Sequence, residues 1–176
     1  ATIGNCRSLV GLYLDDNRLT RLPDITSLTN LELIRASNNS ITFLDDSFVE
    51  GLLNVDTIEL RYNGLKRLPI SIGHLPKLKN LEVSHNELQD LPVLYHAQEL
   101  RYLHLSHNNI HEFAQSKLWR TLTSLRELHI NHNQLGPRLP DEMDHCVNLT
   151  SLFANNNQLT SLPDTMHSLV ELRQLQ

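Results

Sequence analysis

The sequence is poor in cysteine, has no long hydrophobic run and carries no excess of basic residues. Its two cysteines, Cys6 and Cys146, form no CxxC pair, which argues against a disulfide framework and favours a reducing compartment. No stretch approaches the roughly 20 apolar residues that a membrane span requires, and ATIGNCRSLV lacks the pattern of a signal peptide. The net charge is −5, whereas phosphate binding needs clustered Lys and Arg. We therefore expect neither a membrane span nor a nucleic-acid partner.

Catalytic motifs are missing as well. The sequence contains no GxSxG, no P-loop and no GxGxxG motif. Both cysteines fall in apolar stripes, so we expect each to be a small buried hydrophobic residue rather than a nucleophile. The sequence thus predicts no enzyme activity and no cofactor.

An internal repeat is the dominant feature of the chain. The template LxxLxLxxNxL, with positions numbered 1 to 11, fits seven units with intervals of 22 to 25 residues, among them LVGLYLDDNRL, LKNLEVSHNEL and LRYLHLSHNNI. Position 9 is asparagine in every complete unit, namely Asn17, Asn39, Asn63, Asn86, Asn108, Asn133 and Asn157. Further apolar stripes lie three and six residues before each start, and Trp119 belongs to the second of them. Such a period is characteristic of a solenoid.

The template and its period identify the chain as a member of the leucine-rich repeat family. The tails RLPISIGHLPKL and SLPDTMHSLVEL resemble the LPxxIxxLxxL pattern of Ras-suppressor and Scribble-type repeats, which are mostly intracellular scaffolds and regulators. Two tails depart from that pattern, since FLDDSFVEGLLNV and EFAQSKLWRTLTSL lack the proline and look like short helices. The segment QLGPRLPDEM is similar to the GxIP motif of plant-type repeats, with the glycine one place early.

The expected fold is an α/β solenoid, a right-handed superhelix with a concave parallel sheet and a convex side of loops and short helices. Apolar residues at positions 4 and 6 alternate with mostly polar neighbours, which predicts a short strand near positions 3–7 of each unit. Strands in a parallel stack lie about 4.8 Å apart. Because the strands pack more closely than the returning segments, the stack bends towards the sheet.

The expected domain organisation is one repeat domain over residues 1–176. Residues 1–8 read as the tail of a preceding repeat. Complete repeats start at residues 9, 31, 55, 78, 100, 125 and 149, and residues 172–176 begin an eighth. Because solenoid ends need polar caps and none is recognisable, we expect the chain to be part of a longer protein, which could carry a kinase, phosphatase, cyclase or GTPase domain.

The asparagine column is expected to have a structural role. A buried asparagine carries both donors and acceptors, so it can satisfy backbone groups left unpaired by the sharp turn after each strand. The prediction is that each amide bonds within its own unit and to the next.

The concave face is the expected binding surface for a protein partner. Interface anchors are enriched in Trp, Tyr and Arg, and position 5 also carries histidine and phenylalanine. The predicted partner-binding residues are Tyr13, Arg35, Arg61, Tyr62, Tyr102, His104, His129 and Phe153.

Histidines form two further rows. His104 and His129 fall at position 5, and His85, His107 and His132 fall at position 8 of three successive units. Histidines of successive units within a row are expected roughly 5 Å apart. We expect a solvated or partner-contacting row and no metal, with a pH-sensitive interface or a metal site as alternatives.

Three functions remain open at this point. The favoured one is a cytoplasmic interaction module, a scaffold or regulatory subunit in signalling. The second is part of an extracellular receptor ectodomain, for which the sequons at Asn38 and Asn148 would matter. The third is the targeting domain of a larger signalling enzyme.

Overall fold

Eight short strands form a single parallel sheet in the order in which they occur in the chain. The computed structural model describes residues 3–113 and 117–176. The strands are β1 Gly11–Tyr13, β2 Leu33–Arg35, β3 Thr57–Glu59, β4 Asn80–Glu82, β5 Tyr102–His104, β6 Glu127–His129, β7 Ser151–Phe153 and β8 Gln174–Leu175. The predicted parallel solenoid is confirmed. The strands themselves occupy positions 3–5, or 3–4 in β8, and so end earlier than predicted.

The register keeps equivalent positions side by side. Leu103 of β5 pairs with Leu128 of β6, and His104 pairs with His129. Backbone hydrogen bonds continue beyond the strands, as where the His85 N–H donates to the Ser106 carbonyl at 2.9 Å. Each template position therefore becomes a column that runs along the solenoid.

The core is built from the apolar columns of the template. Leu103 and Leu105, at positions 4 and 6, are fully buried, and the same positions of the next unit, Leu128 and Ile130, are buried too. Trp119 is fully buried and meets the Phe113 ring edge-on at 4.9 Å. This places Trp119 in the core, where it fills the longest repeat unit.

The return segments on the convex side are short. Three 3₁₀ helices, Ile70–His74, Asp141–His145 and Asp164–Ser168, each follow a proline. Proline fixes φ near the helical value at the start of a turn and has no N–H to leave unpaired. A further 3₁₀ helix spans Ile3–Asn5 near the start of the chain.

The two proline-free tails behave differently from each other. One contains the α-helix α1, Lys117–Thr121; its residues 114–116 lie outside the described part of the chain. The other was expected to be helical, and this is wrong, because residues 46–51 form turns. Gly51 adopts a φ of 79° there, a left-handed conformation that terminates helical turns.

The two cysteines also differ. Cys146 is buried, as expected, but Cys6 is exposed, so the prediction of a buried hydrophobic residue is wrong for Cys6. In the later units, the residue equivalent to Cys6 is covered by the coil before it. The only described residues that precede Cys6 belong to its own turn. Among the described residues, no helix is long and apolar enough to cross a membrane.

Candidate functional site: the concave face

The position-5 side chains form a column along the middle of the sheet. Strand residues alternate between the two faces, so position 5 points away from the core when position 4 points into it. The column consists of Tyr13, Arg35, Glu59, Glu82, His104, His129 and Phe153. Six of the seven side chains carry a titratable or permanently charged group, and neighbouring members are paired in register.

Ion pairs dominate the N-terminal end of this column. The Nε atom of Arg35 lies 3.0 Å from Asp15 Oδ2 and 3.1 Å from Glu59 Oε2. The other Asp15 oxygen accepts a hydrogen bond from the Ser37 N–H at 2.8 Å. Arg35 is therefore held between two carboxylates, and only the outer part of its guanidinium faces solvent.

A cluster of two histidines and two glutamates occupies the middle of the face. Nδ1 of His104 lies 2.9 Å from Glu82 Oε2, and Nε2 of His104 lies 3.4 Å from Glu127 Oε1. The same Glu127 oxygen lies 2.6 Å from His129 Nε2. The centroids of the His104 and His129 rings are 4.2 Å apart, and the two rings are tilted by 31° relative to each other. The Phe153 ring follows at 4.4 Å from His129.

The position-8 side chains form a second column beside the sheet rather than on a strand. All seven position-8 residues adopt a left-handed conformation with φ between 51° and 57°: Asp16, Asn38, Tyr62, His85, His107, His132 and Asn156. Asn, Asp and His are the non-glycine residues enriched in that conformation, which gives a backbone reason for histidine at this position. Tyr62 is the bulky exception.

Four rings stack along this second column. Tyr62 and His85, His85 and His107, and His107 and His132 each have centroids 4.1 Å apart. Arg61 lies over the Tyr62 ring at 5.3 Å, and Asn156 hydrogen-bonds to His132 at 3.1 Å. The expected alignment of histidines is thus present, at a spacing slightly closer than the roughly 5 Å expected from strand separation.

The surroundings of three histidines in the two columns disfavour their protonation. Burial lowers the pKa of His85 and of His107, and a positive charge on the neighbouring ring lowers it further. Burial and the charge of His104 also lower the pKa of His129, against the opposing effect of Glu127. Burial acts to raise the pKa of Glu82, but hydrogen bonds from His104 and from the Ser84 N–H outweigh it and lower that pKa. The lowered pKa values favour the neutral form of His85, His107 and His129 and the ionised form of Glu82 at neutral pH.

The predicted partner-binding residues fall into separate groups. Tyr13 and Arg35 are cross-strand neighbours at one end, while His104, His129 and Phe153 are consecutive in the position-5 column. Arg61 and Tyr62 pack on each other at the edge. Tyr102 lies in the position-3 row and pairs with Glu127 in register.

Two residues of the histidine–glutamate cluster were absent from the predicted set. Glu82 and Glu127 contact His104 and His129, yet neither is an aromatic or basic anchor of the type sought. The sequence could have revealed Glu127, because it occupies position 3 of the sixth unit, two residues before His129. That spacing places both side chains on one face of β6.

From Asn39 onward, the position-9 asparagines each bridge adjacent units, whereas Asn17 donates only to the Leu14 and Asp15 carbonyls of its own unit. Asn86 donates to the Leu60 carbonyl at 2.9 Å and the Val83 carbonyl at 3.0 Å, and its Oδ1 accepts from the Leu65 N–H at 3.0 Å. Leu60 and Leu65 belong to the preceding unit, so the expected bond to the next unit is wrong. The chain turns back across the previous coil, which brings that coil's backbone groups to the amide.

A second asparagine series lies just before position 1. Asn30, Asn54 and Asn148 donate to backbone carbonyls of the preceding unit at 2.9, 3.0 and 2.8 Å. This series is visible in the sequence, because asparagine recurs immediately before position 1 in three units. These bonds tie the coils at the edge where each strand begins.

Comparisons with known proteins agree with this architecture. The leucine rich repeat family model matches residues 26–88, and a model for two copies of the repeat matches residues 98–138. Fibromodulin of Oryctolagus cuniculus is 32% identical over 133 residues, which make up 73% of this chain and 88% of that protein. The chain belongs to the leucine-rich repeat family.

Other leucine-rich repeat relatives are longer than this chain. Lumican of Bos taurus is 29% identical over 161 residues, which are 87% of this chain and 44% of lumican. Adenylate cyclase of Schizosaccharomyces pombe is 32% identical over 161 residues, but these cover only 9% of that protein. The leucine-rich repeat chain thus spans less than half of the lumican sequence that it matches.

Solved structures share the same fold. A leucine-rich repeat protein of Leptospira interrogans superposes with a TM-score of 0.90 at 32% identity, covering 98% of this chain and 44% of that one. An internalin of Listeria monocytogenes gives a TM-score of 0.83 at 25% identity, with 98% and 48% coverage. The leucine-rich repeat family and these neighbours are mostly non-enzymatic interaction modules. The narrower likeness to Ras-suppressor and Scribble-type repeats stays a prediction.

Proposed function

We propose that the chain is a protein-protein interaction module that binds a protein partner through its concave face. The observation that carries the proposal is the arrangement of aromatic and charged side chains in two continuous columns on one face. The curvature of a solenoid creates one extended concave surface, and here successive units contribute equivalent side chains to it. A partner laid along the sheet would contact every unit in turn.

Exposed tyrosines supply the anchors. Tyr13 is 65% exposed, Tyr62 46% and Tyr102 39%. Tyrosine is enriched at interface hot spots because its ring buries much area at a small cost in rotamer entropy. Exposed hydrophobic side chains also occur on the return segments, among them Ile70 and Tyr95, as they do on ordinary protein surfaces.

The charge distribution predicts a zoned partner surface. Asp15, Arg35 and Glu59 place alternating charges at the N-terminal end, whereas His104, His129 and Phe153 follow at the other end. Complementary charges on a partner fix its orientation and its rate of association. A partner with basic groups towards β1 and an apolar or hydrogen-bonding segment towards β7 fits this order.

A matched pair of tyrosine variants tests the binding face. We would immobilise the 176-residue chain, capture proteins from extract and compare Tyr62→Ala/Tyr102→Ala with the convex-side control Tyr95→Ala, after thermal melts show that all three fold alike. The expected result is a protein retained by wild type and control and lost by the concave-face variant. Equal capture by both variants, or loss in the Tyr95 variant alone, would contradict the proposal.

The favoured biological role is that of a scaffold or regulatory subunit in cytoplasmic signalling. It is supported by the LPxxIxxLxxL tails and by the scarcity of cysteine. An extracellular role has its own support, because the relatives include the extracellular proteins lumican and fibromodulin as well as intracellular proteins. Secretion from a eukaryotic cell discriminates the two: a glycan on Asn38 or Asn148 would favour the extracellular role. Both asparagines are exposed, although each amide also donates a hydrogen bond, to Asp16 and to Thr123 respectively.

A targeting domain within a larger signalling enzyme is the third role. The match to the repeat region of Schizosaccharomyces pombe adenylate cyclase is the observation that favours it. The sequence of the parent gene on either side of the repeats distinguishes this role from that of a free-standing adaptor.

A further inference from the structure

The parallel register brings three ligand-type side chains to one point of the concave face. His104 and His129 are cross-strand partners at position 5 of β5 and β6. Glu127 lies two residues before His129 and therefore on the same face of the strand. All three backbone positions are held by the sheet, so their relative placement does not depend on a mobile loop.

Their ligand atoms lie within reach of a single ion. One nitrogen from each histidine and one oxygen from Glu127 are all within 4.8 Å of one another. The Glu127 oxygen is 3.4 Å from His104 Nε2 and 2.6 Å from His129 Nε2. A tetrahedral zinc ion with ligands at about 2.0–2.1 Å separates them by roughly 3.3 Å. The two observed distances, 3.4 and 2.6 Å, lie on either side of that separation.

Glu82 supplies the supporting contact that such a site needs. Its Oε2 is 2.9 Å from His104 Nδ1, and its Oε1 accepts from the Ser84 N–H at 2.9 Å. A carboxylate on Nδ1 fixes the tautomer and leaves the Nε2 lone pair free for a metal. His104 Nε2 is buried and has no hydrogen-bond partner among the described residues, so a metal ion would satisfy an otherwise unsatisfied nitrogen.

We propose that His104, Glu127 and His129 bind a divalent transition metal ion, with zinc as the best match, and that Glu82 orients His104. Two imidazoles and one carboxylate suit zinc, whereas magnesium and calcium prefer oxygen ligands alone. The side chains are 22%, 33% and 29% exposed, so an ion can enter from the concave side. Three protein ligands leave a fourth position for water or for a group from a bound protein.

The position-8 histidines do not form an equivalent site. His85, His107 and His132 stack with interplanar angles of 11–12°. Nitrogen lone pairs lie in the ring plane, so parallel rings direct them side by side and not towards a common point. We expected no metal from the two histidine rows alone; Glu127 is the residue that distinguishes the position-5 cluster.

Calorimetric titration with zinc chloride tests the site on the 176-residue chain. We expect one saturable zinc ion per chain in wild type and in the control His132→Gln. Affinity should fall at least about 10-fold in Glu127→Gln and His129→Gln, and by about 10–100-fold in Glu82→Gln, the range for supporting carboxylates. Magnesium should not bind. Cobalt should give the visible absorption of a four-coordinate site in wild type and lose it in the ligand variants.

Three results would overturn the proposal. One is the absence of saturable zinc binding below millimolar concentration in wild type. Another is equal zinc affinity in Glu127→Gln, His129→Gln and wild type. The last is a loss confined to His132→Gln, which would move the site to the position-8 column. Circular dichroism melts without metal identify any variant that fails to fold, and Glu127→Gln then decides, because it preserves size and shape.

Discussion

The asparagine column predicts a large and position-specific loss of stability when one amide is removed from the middle of the solenoid. Asn108 is 6% exposed, and its Oδ1 accepts from the Leu88 N–H at 2.9 Å. Its Nδ2 donates to the Val83 carbonyl at 3.1 Å and the Leu105 carbonyl at 3.0 Å. Asn108→Ala removes these three bonds at once, together with a longer one to the Ser106 carbonyl at 3.4 Å.

The size of this loss of stability follows from which hydrogen bonds each former partner of Asn108 retains. Among the hydrogen bonds of the described residues, Leu88 N–H has no acceptor besides Asn108, so it becomes an unsatisfied buried donor at a cost of about 1–3 kcal/mol. The Val83 carbonyl keeps Asn86, and the Leu105 carbonyl keeps Asn133. Each carbonyl therefore loses only part of a hydrogen bond, and we expect a total of about 2–4 kcal/mol.

Equilibrium urea unfolding measures this loss, with the neighbouring Asn109→Ala as the matched control. Asn109 is only partly buried, and its backbone N–H already donates to the Leu88 carbonyl. The control should stay within about 0.5 kcal/mol of wild type, as surface substitutions usually do. Equal unfolding free energies for the two alanine variants would refute the reasoning.

Two further predictions follow from the columns and the cysteines. The pKa values of His85, His107 and His129 are lowered from 6.5 in the folded chain, so the unfolded state binds more protons and stability should fall as pH decreases below about 6.5. Urea unfolding midpoints at about pH 7.5 and pH 5.5 measure this fall in stability. The difference between the two midpoints should be smaller in His107→Gln, because the substitution removes one titrating ring and the charge that acts on His85. Equal midpoints at the two pH values in wild type would contradict the prediction. Burial raises the pKa of Cys146 to about 12, and Cys6 is exposed, so a thiol reagent should label one cysteine in the native chain and two after denaturation. A second fast-reacting thiol in the native chain would show that the core opens near Cys146.

The position-8 column shows how one residue type can serve backbone and surface together. Histidine tolerates the left-handed turn, and its ring then stacks on the equivalent ring of the next unit at 4.1 Å. Tyr62 joins the stack despite a φ of 51°, a conformation that costs roughly 1–2 kcal/mol for an ordinary side chain. Ring stacking with His85 offsets part of that cost.

The sequence by itself determined the architecture and the columns. The interval of 22–25 residues and the fixed asparagine assign every residue a template position, and strand alternation then assigns it a face. This was sufficient to place Leu103 and Trp119 in the core, to place Tyr102 on the concave face and to align His104 with His129. These placements follow from the repeat period, and that period is visible in a single sequence.

Only the tertiary structure decided how side chains from neighbouring coils meet. It showed that Arg35 is held between two carboxylates, that Asn86 bonds to the preceding coil, and that Glu127 joins His104 and His129. It also showed that Cys6 is exposed. Residues about 22 positions apart become neighbours when the coils stack, and their contacts depend on rotamers and on ångström-scale offsets between coils. A repeat template fixes which residues are adjacent but carries no information on those offsets.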